Sequence, residues 1–596
     1  MPDPKTSAVS ENRSATLGLV MALVLIVVAY YPTLVENFAP QDQWRAFRYS
    51  LEPGLPGDRY DACFNTTIKF YFLTGRWLVW IGECIEHSAV AQIKDFTPLR
   101  VIVLGVVLLS AIIFRKVLTG VINCPRLAIV PAVMATLLPG YAFMYYQGLT
   151  GLPVLLAFPL ALLSFHFISP ALTEKIEGNT TYGLVMGGIF FLSACFIYPV
   201  FAFTVIPTAF IFSAFRPEIS LGKRISLCAR FCAYYLVVSI IYFLMVKSGI
   251  TVAEHLGKSI PDLKNYRFDI LTDSGELINK LGIVFHELTH MPLASFLNVP
   301  AWLCLTILLG PAGIMFYEGE RLNWGRTLSI LAVVLYALSI PAIAVASVFP
   351  WFLSHTLGDV YRHMLPIHFL LILSFGILVT RGIEKLKLIY GELSARRIES
   401  TILVVLVSIF SINQISLSQL QVFDSTIEIN HMRDTFNEMI TNGKFWDLKE
   451  VHIVRPEIGR HYNGRPIDRE FIPATMANPE HILQMTHAVL REMLSPEQLR
   501  QVHLIDCRFD RNCSESAPKN VLVISQSEYG TPLPALRKNH VIINYSHLNN
   551  KSLPVKAITD IKGRTSSQLE FYSHAYIFSE ASPYFWHAEQ NERQLS

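Results

Sequence analysis

A succession of apolar runs of membrane-crossing length sets the strongest constraint on this chain, at approximately 15–35, 99–114, 127–145, 150–171, 182–198, 199–215, 225–247, 299–317, 327–349, 364–380 and 400–418. A hydrocarbon core about 30 Å thick is crossed by roughly 20 apolar residues, and a helix satisfies its backbone polar groups within one segment. The runs predict an α-helical polytopic membrane protein with about eleven transmembrane helices. The fifth and sixth are one continuous apolar stretch, divided at Tyr198-Pro199 because proline interrupts a helix and the stretch is long enough to cross twice. Composition agrees, since 52% of the residues are hydrophobic and only 16% charged.

Basic residues in short loops prefer the cytoplasm. With the N-terminus (1–14) inside, Arg115, Lys116 and Arg126 fall on the cytoplasmic side, as do Arg216, Lys223 and Arg224, then Arg321 and Arg326. The group Arg381, Lys385, Lys387, Arg396 and Arg397 joins them. Loops 36–98, 248–298 and 350–363 then lie outside, with everything beyond about 419. The net charge of +3 reflects this topology and gives no footprint for nucleic acid. Cys63 and Cys84 share the first outer loop, Cys507 and Cys513 lie near the C-terminus, and either pair can close a disulfide in an oxidising compartment. The polar start lacks a small-residue cleavage site and reads as leading into a retained helix.

Beyond 419 the apolar runs shrink to strand length, at 450–454, 520–524 and 540–544, with a polar helical stretch at 481–493 between them. This predicts a C-terminal soluble α/β domain over 419–596. The first outer loop is too long for a plain connector. Its stretch 70–85 is rich in Trp and Phe, which favour the membrane interface, and is expected to lie along the bilayer surface as short helices.

Three groups of residues can carry chemistry. The first follows the exit of the first helix, where Asp42 and Arg45 stand in Asp42-Gln43-Trp44-Arg45, with Gly75-Arg76-Trp77-Leu78 some thirty residues on. A carboxylate at the membrane surface can take a proton from a hydroxyl, and arginines can hold a phosphate through charge-assisted hydrogen bonds. Plain interfacial charges, one helical turn apart, are the alternative. The second group is Ser354-His355 with Asp359-Val360-Tyr361-Arg362-His363, at the entry to a late helix, where Arg362 and His363 either approach a phosphate or reach for lipid headgroups. The third is His286-Glu287-Leu288-Thr289-His290, which fits H-E-x-x-H and on a helix places two potential zinc ligands on one face with a general base. A third ligand for zinc is not evident beyond His355 or Asp359. A polar wall to a binding site and an ordinary surface helix are the other readings of this segment. The loop acids Asp58, Asp61, Glu83 and Glu86 read as solvated or structural, with Asp61 able to assist Asp42. Tyr198 either bonds a ligand or simply packs. Neither a P-loop nor a dinucleotide fingerprint is present.

The first helix, Asp42-Gln43-Trp44-Arg45, Gly75-Arg76-Trp77-Leu78 and the Tyr198-Pro199 element resemble the serotype-converting, O-antigen-modifying glucosyl transferases of bacteria and their phages, of the GT-C class. The resemblance covers roughly 15–420. It implies a GT-C-like catalytic domain over 15–418 in the bacterial inner membrane, with an active site facing the periplasm. Its donor would be a polyprenyl-phosphate sugar such as undecaprenyl-phosphate-glucose, and its acceptor a glycolipid or surface glycan. Asp42 matches the essential acid of the family's first outer loop, and Arg362 the late-loop cation. The chain departs from the family in having Asp42-Gln43 where two acids usually stand, and in its large C-terminal region. No cofactor is named by this reading, and a divalent metal is left open. A zinc metallopeptidase using His286, Glu287 and His290, and a glycolipid transporter or flippase, are the competing functions.

Overall fold

The computed structural model describes residues 4–35, 61, 63, 75–122, 124–146, 151–173, 180–216, 219–255, 274–289, 299–322, 324–352, 363–443, 445–446, 450–454, 461–462, 465–466, 479–499, 501–506, 521–525 and 541–544. Among them, seven helices are long and apolar enough to cross a membrane, and two shorter apolar helices, Thr16–Tyr30 and Pro199–Ala214, accompany them. Their outward residues are apolar, as with Leu236, Val237 and Leu244 on one helix and Leu331, Val334 and Leu338 on another. Such a surface is costly in water and natural in lipid.

Leu365–Tyr390 is the axis of the bundle: 72% of its most apolar window is buried, against 28% for each of Ala301–Arg321 and Arg326–Ser347. Small residues let the helices approach. A Cβ at Gly187 would clash with Ile168, and one at Gly376 would meet Ile122 at 2.9 Å, in keeping with the use of small residues at membrane helix interfaces.

The chain turns back at Tyr198. Helix Thr180–Ile197 runs alongside Leu221–His255, with Phe191 against Tyr235 and Phe196 against Tyr242. After the turn, Pro199–Ala202 and Val205–Ala214 lead back to the opposite end, where Arg224 donates to the Ala214 carbonyl. At that end Glu318 accepts from Arg224 (3.0 Å) and Arg381 (3.1 Å), and Arg381 also meets Glu384 (2.8 Å). The positive-inside rule assigns these residues to one side, and the fold brings them to one end.

Glu392–Thr441 is a single helix of 50 residues, about 75 Å long and far more than a bilayer core requires. The boundary expected near 419 therefore falls inside a continuous helix. Ser418 donates to the Ala29 carbonyl, and beyond it the helix leaves the bundle. There Ile429 and Phe436 pack with Val90, Ile93 and Phe96, and with Val489 of helix Pro479–Met493. Glu492 secures the junction, accepting from the Ile93 N–H (3.0 Å) and from Arg433 (2.8 Å).

Four parallel strands follow, β1 (Glu450–Val454), β4 (His503–Asp506), β5 (Val521–Ser525) and β6 (Val541–Asn544), in the order β4-β1-β5-β6. Parallel neighbours need a crossover, and helix Pro479–Met493 lies in the one between β1 and β4. The short strands β2 (His461–Tyr462) and β3 (Arg465–Pro466) pair antiparallel.

Candidate functional site

The end of the bundle opposite the Arg224–Glu318–Arg381 network gathers three of the segments singled out in the sequence. Gly75 begins it. Its φ of +67° belongs to the left-handed region, and a Cβ there would come within 2.6 Å of Tyr242 Oη and Val246 Cγ2. Only glycine meets both conditions. The resulting turn puts Arg76 at the N-terminal boundary of helix Trp77–Ala89.

The Arg76 guanidinium lies over the ring of Tyr198, 4.6 Å from its centroid. Tyr198 holds that position because the backbone is extended there (φ −149°, ψ 97°) and Pro199 opens the next short helix. The Tyr198 ring also stacks with His363 at 6.2 Å and 12°, at the entry to Leu365–Tyr390. Arg76 makes no ion pair among the described residues, and its Nε is buried without a hydrogen-bond partner. A guanidinium fixed by one face against an aromatic ring keeps its planar N–H edge for an anion, the geometry suited to phosphate.

Helix Trp77–Ala89 has an unusual polarity. Leu78, Ile81 and Ile85 face outward, while Trp77 stacks on Phe196 at 4.6 Å and Gly82 packs against Pro153. Glu83 and Glu86 are turned inward, only 3% and 4% exposed. This corrects the solvated alternative for both acids. Burial pushes the Glu86 carboxyl well above its usual range, and the neighbouring Glu83 adds to the effect. The helix is held to the preceding segment by the disulfide Cys63–Cys84, which realises one of the two pairs considered from the sequence. Cys507 and Cys513 lie outside the described residues.

The exit of the first helix is fixed at this same end. Tyr30 donates to the Thr136 carbonyl (3.0 Å), Thr33 Oγ1 and Tyr145 Oη bond at 2.8 Å, and fully buried Arg100 donates to the Thr33 carbonyl (3.4 Å). This frame immediately precedes the segment that carries Asp42. Asp42, Arg45, Asp58, His290, His355, Asp359 and Arg362 themselves lie outside the described residues. Asp61 is described, with an exposed side chain close in sequence to Cys63.

Residues 286–289 of the H-E-x-x-H match lie on helix Ser274–Thr289, but Glu287 is committed elsewhere. Its carboxylate is buried and 2.9 Å from His368 Nε2 on the axial helix, whereas His286 is exposed. Among the described residues, no group of three or more His, Cys, Asp and Glu could hold a metal ion. Reasoning from sequence missed the inward acids Glu83 and Glu86, the stacking role of His363, and the Glu287–His368 pair. The i, i+3 spacing of Glu83 and Glu86 opposite Leu78, Ile81 and Ile85 was the available signal for the first of these.

No protein-family model matches the chain, and no curated protein matches it. Among solved structures it is similar to the oligosaccharyltransferase of Archaeoglobus fulgidus, in one case tethered through a disulfide to an acceptor peptide containing the NVT sequon, and in another in complex with an inhibitory peptide and a dolichol-phosphate. Identity is 12% and the TM-score 0.33 in both cases, with 74% of this chain covered. The chain spans 61% and 62% of the length of those two structures.

Proposed function

We propose that this chain is a polytopic membrane glycosyltransferase of the GT-C kind. It crosses the bilayer about eleven times within 15–418, and 419–596 forms an outer α/β domain. It moves a sugar, glucose by the resemblance, from a polyprenyl-phosphate donor to a lipid-linked or surface glycan on the periplasmic face of the bacterial inner membrane. Asp42 accepts the proton of the acceptor hydroxyl. Arg45, Arg76, Arg362 and His355 surround the donor phosphate, and Asp61, Tyr198 and Asp359 support them.

The single observation that carries this reading is the state of Arg76: a cation oriented by Tyr198, next to a helix entry adjoining Arg362, with no ion pair among the described residues. A partly buried cation without a counter-charge is expensive to keep, and a ligand anion offsets that cost when it binds. As the glycosidic bond breaks, negative charge grows on the departing phosphate, and a guanidinium already in place stabilises it without reorganisation. The Cys63–Cys84 disulfide, at the same end as Arg76, fits an oxidising periplasmic side.

The test is binding of undecaprenyl phosphate to protein in lipid nanodiscs, comparing the native chain with Arg76→Ala. Loss of one charge-assisted contact predicts a roughly 10- to 100-fold weaker affinity. Equal affinity in the two proteins would remove Arg76 from the phosphate site.

A further inference from the structure

The end of the bundle that carries the Arg224–Glu318–Arg381 network has a surface that the proposed chemistry does not use. Helices Ala301–Arg321 and Leu365–Tyr390 both finish there, held side by side by the Arg381–Glu318 pair and by Lys385, whose Nζ lies 5.4 Å from the centroid of the Tyr317 ring. Gly391, with a φ of +79°, then reverses the chain into Glu392–Thr441. The hairpin is rooted by Ile383 and Ala395, which are buried in one cluster with Leu127. Its tip is uncovered among the described residues: Leu388, Ile389 and Tyr390 are 85%, 60% and 64% exposed, and Tyr317 beside Lys385 is 55% exposed.

Helix length sets the depth of this tip. Leu365–Tyr390 has 26 residues, about 39 Å of helix, whereas a hydrocarbon core is about 30 Å thick and a bilayer with its headgroups about 40–45 Å. Counted from Leu365, the core ends near Lys385, and Leu388–Tyr390 stand at headgroup depth. Arg321 comes one turn after Tyr317, as Leu388 and Ile389 come one turn after Lys385, so a second cation and the apolar tip share a level. The acids nearby are already taken: Glu318 by Arg224 and Arg381, Glu384 by Arg381, and Glu392 by Arg396. Arg321, Lys385, Lys387 and Arg397 make no ion pair among the described residues, and exposed Glu320 offsets only part of their charge.

We infer that the adjoining ends of Ala301–Arg321 and Leu365–Tyr390 form a binding site for an anionic phospholipid, with Arg321 and Lys385 on its phosphate and Tyr317, Leu388 and Ile389 against its glycerol and upper acyl carbons. Charge complementarity selects this occupant over a zwitterionic lipid, whose own ammonium cancels much of the attraction. The exposed apolar tip selects a lipid over a soluble phosphate, because Leu388 and Ile389 gain only from an acyl chain. The positive-inside rule assigns this end to the cytoplasm, so the site lies across the bilayer from Arg76 and stands whether or not the chain transfers a sugar. A lipid held there fixes the depth of the axial helix and stabilises the folded chain by mass action.

The experiment titrates the full chain in detergent with phosphatidylglycerol or phosphatidylcholine and counts bound lipids by native mass spectrometry. Arg321→Gln/Lys385→Gln removes the two cations, and Leu388→Ser/Ile389→Ser the apolar tip. Arg115→Gln/Lys116→Gln removes two charges that the positive-inside rule places on the same side, on helix Phe96–Ile122. All six residues are at least partly exposed. The native chain should bind phosphatidylglycerol roughly tenfold or more tightly than phosphatidylcholine, at about fivefold for each cation. That preference should vanish in Arg321→Gln/Lys385→Gln and persist in Arg115→Gln/Lys116→Gln, while Leu388→Ser/Ile389→Ser weakens both lipids alike. Phosphatidylglycerol should also raise the melting temperature of the native chain and leave that of Arg321→Gln/Lys385→Gln unchanged, a comparison made within each protein and so insensitive to any loss of stability. Equal losses of preference in the two charge variants would reduce the site to diffuse surface attraction and overturn the inference, as would a native chain without preference. Displacement of the lipid by glycerol 1-phosphate at equal concentration would overturn it too, in favour of a site for soluble phosphate.

Discussion

Two helices at the same end of the bundle, Trp77–Ala89 and Ser274–Thr289, solve the same problem with opposite outcomes. Each turns apolar residues outward, Leu78, Ile81 and Ile85 on the first and Ile278 and Phe285 on the second, and each turns charge inward. On the second helix the inward charges are satisfied: Lys280 by two carbonyls and Glu287 by His368. On the first, among the described residues, Arg76 lies over the face of Tyr198 with no ion pair, and Glu86 Oε2 is buried without a hydrogen-bond partner. Burying a charge costs several kcal/mol unless it is paired. The difference therefore separates a helix whose inward charges are paired from one on which burial keeps the inward acid Glu86 protonated.

The largest effect that sharpens this contrast is on catalysis. Arg76→Ala is expected to reduce sugar transfer by about 10²–10³, the scale of removing one preorganised donor to a developing anion. Its apparent melting temperature in nanodiscs should stay close to native, because no ion pair is lost. A variant that simply unfolds would make Arg76 a scaffold residue and break the comparison. Next comes Glu287→Ala, where removing one partner of a buried pair should cost about 3 kcal/mol of stability, read as a lower melting temperature. Had the charges on the two helices equivalent roles, the two substitutions would shift stability alike.

Gly75→Ala is expected to have a smaller effect. The left-handed backbone alone costs about 1–2 kcal/mol for a residue with a Cβ, and the contacts at 2.6 Å to Tyr242 and Val246 add to it. Phosphate affinity should fall together with stability as Arg76 is displaced from Tyr198, and unchanged affinity would show that the Gly75 turn does not set the site.

The smallest effect concerns Glu86. Its folded carboxyl keeps its proton above the usual value of 4.5, while the unfolded chain releases it there. Between those two values the folded state binds more protons, so its stability falls as pH rises above 4.5 and levels off beyond the folded value. Glu86→Gln should flatten that part of the profile of apparent melting temperature against pH. An unchanged profile would mean that Glu86 ionises in the folded protein as it does in the unfolded chain.

Much of the helical scaffold was legible because lipid enforces it. Runs such as 364–380 and 327–349 coincide with the helices Leu365–Tyr390 and Arg326–Ser347, and proline marks the reversal at Tyr198-Pro199. Strand-length runs at 450–454, 520–524 and 540–544 meet β1, β5 and β6 within a residue. What stayed hidden depends on orientation and on distant partners. Helix Trp77–Ala89 is apolar on two sides, with Val79 and Trp80 inside and Leu78 and Ile81 outside, so periodicity alone does not tell which side carries lipid. Spacing within H-E-x-x-H is local, whereas the residue that claims Glu287 lies 81 positions away. The extension of Glu392–Thr441 past 419 was hidden for a similar reason. Its continuation is polar along much of its length, and the residues that bury Ile429 and Phe436 come from 90–96 and 485–494.

The central claim is tested most directly by transfer of labelled glucose from undecaprenyl-phosphate-glucose, using purified full-length protein in nanodiscs, glycolipid extract as acceptor, and Asp42→Asn in parallel. The account predicts that the native protein consumes the donor and labels the acceptor, and that Asp42→Asn binds the donor without turning it over. Full activity in Asp42→Asn would contradict the assignment of the base, and failure of the native protein to bind or consume any polyprenyl-phosphate sugar would contradict the function itself.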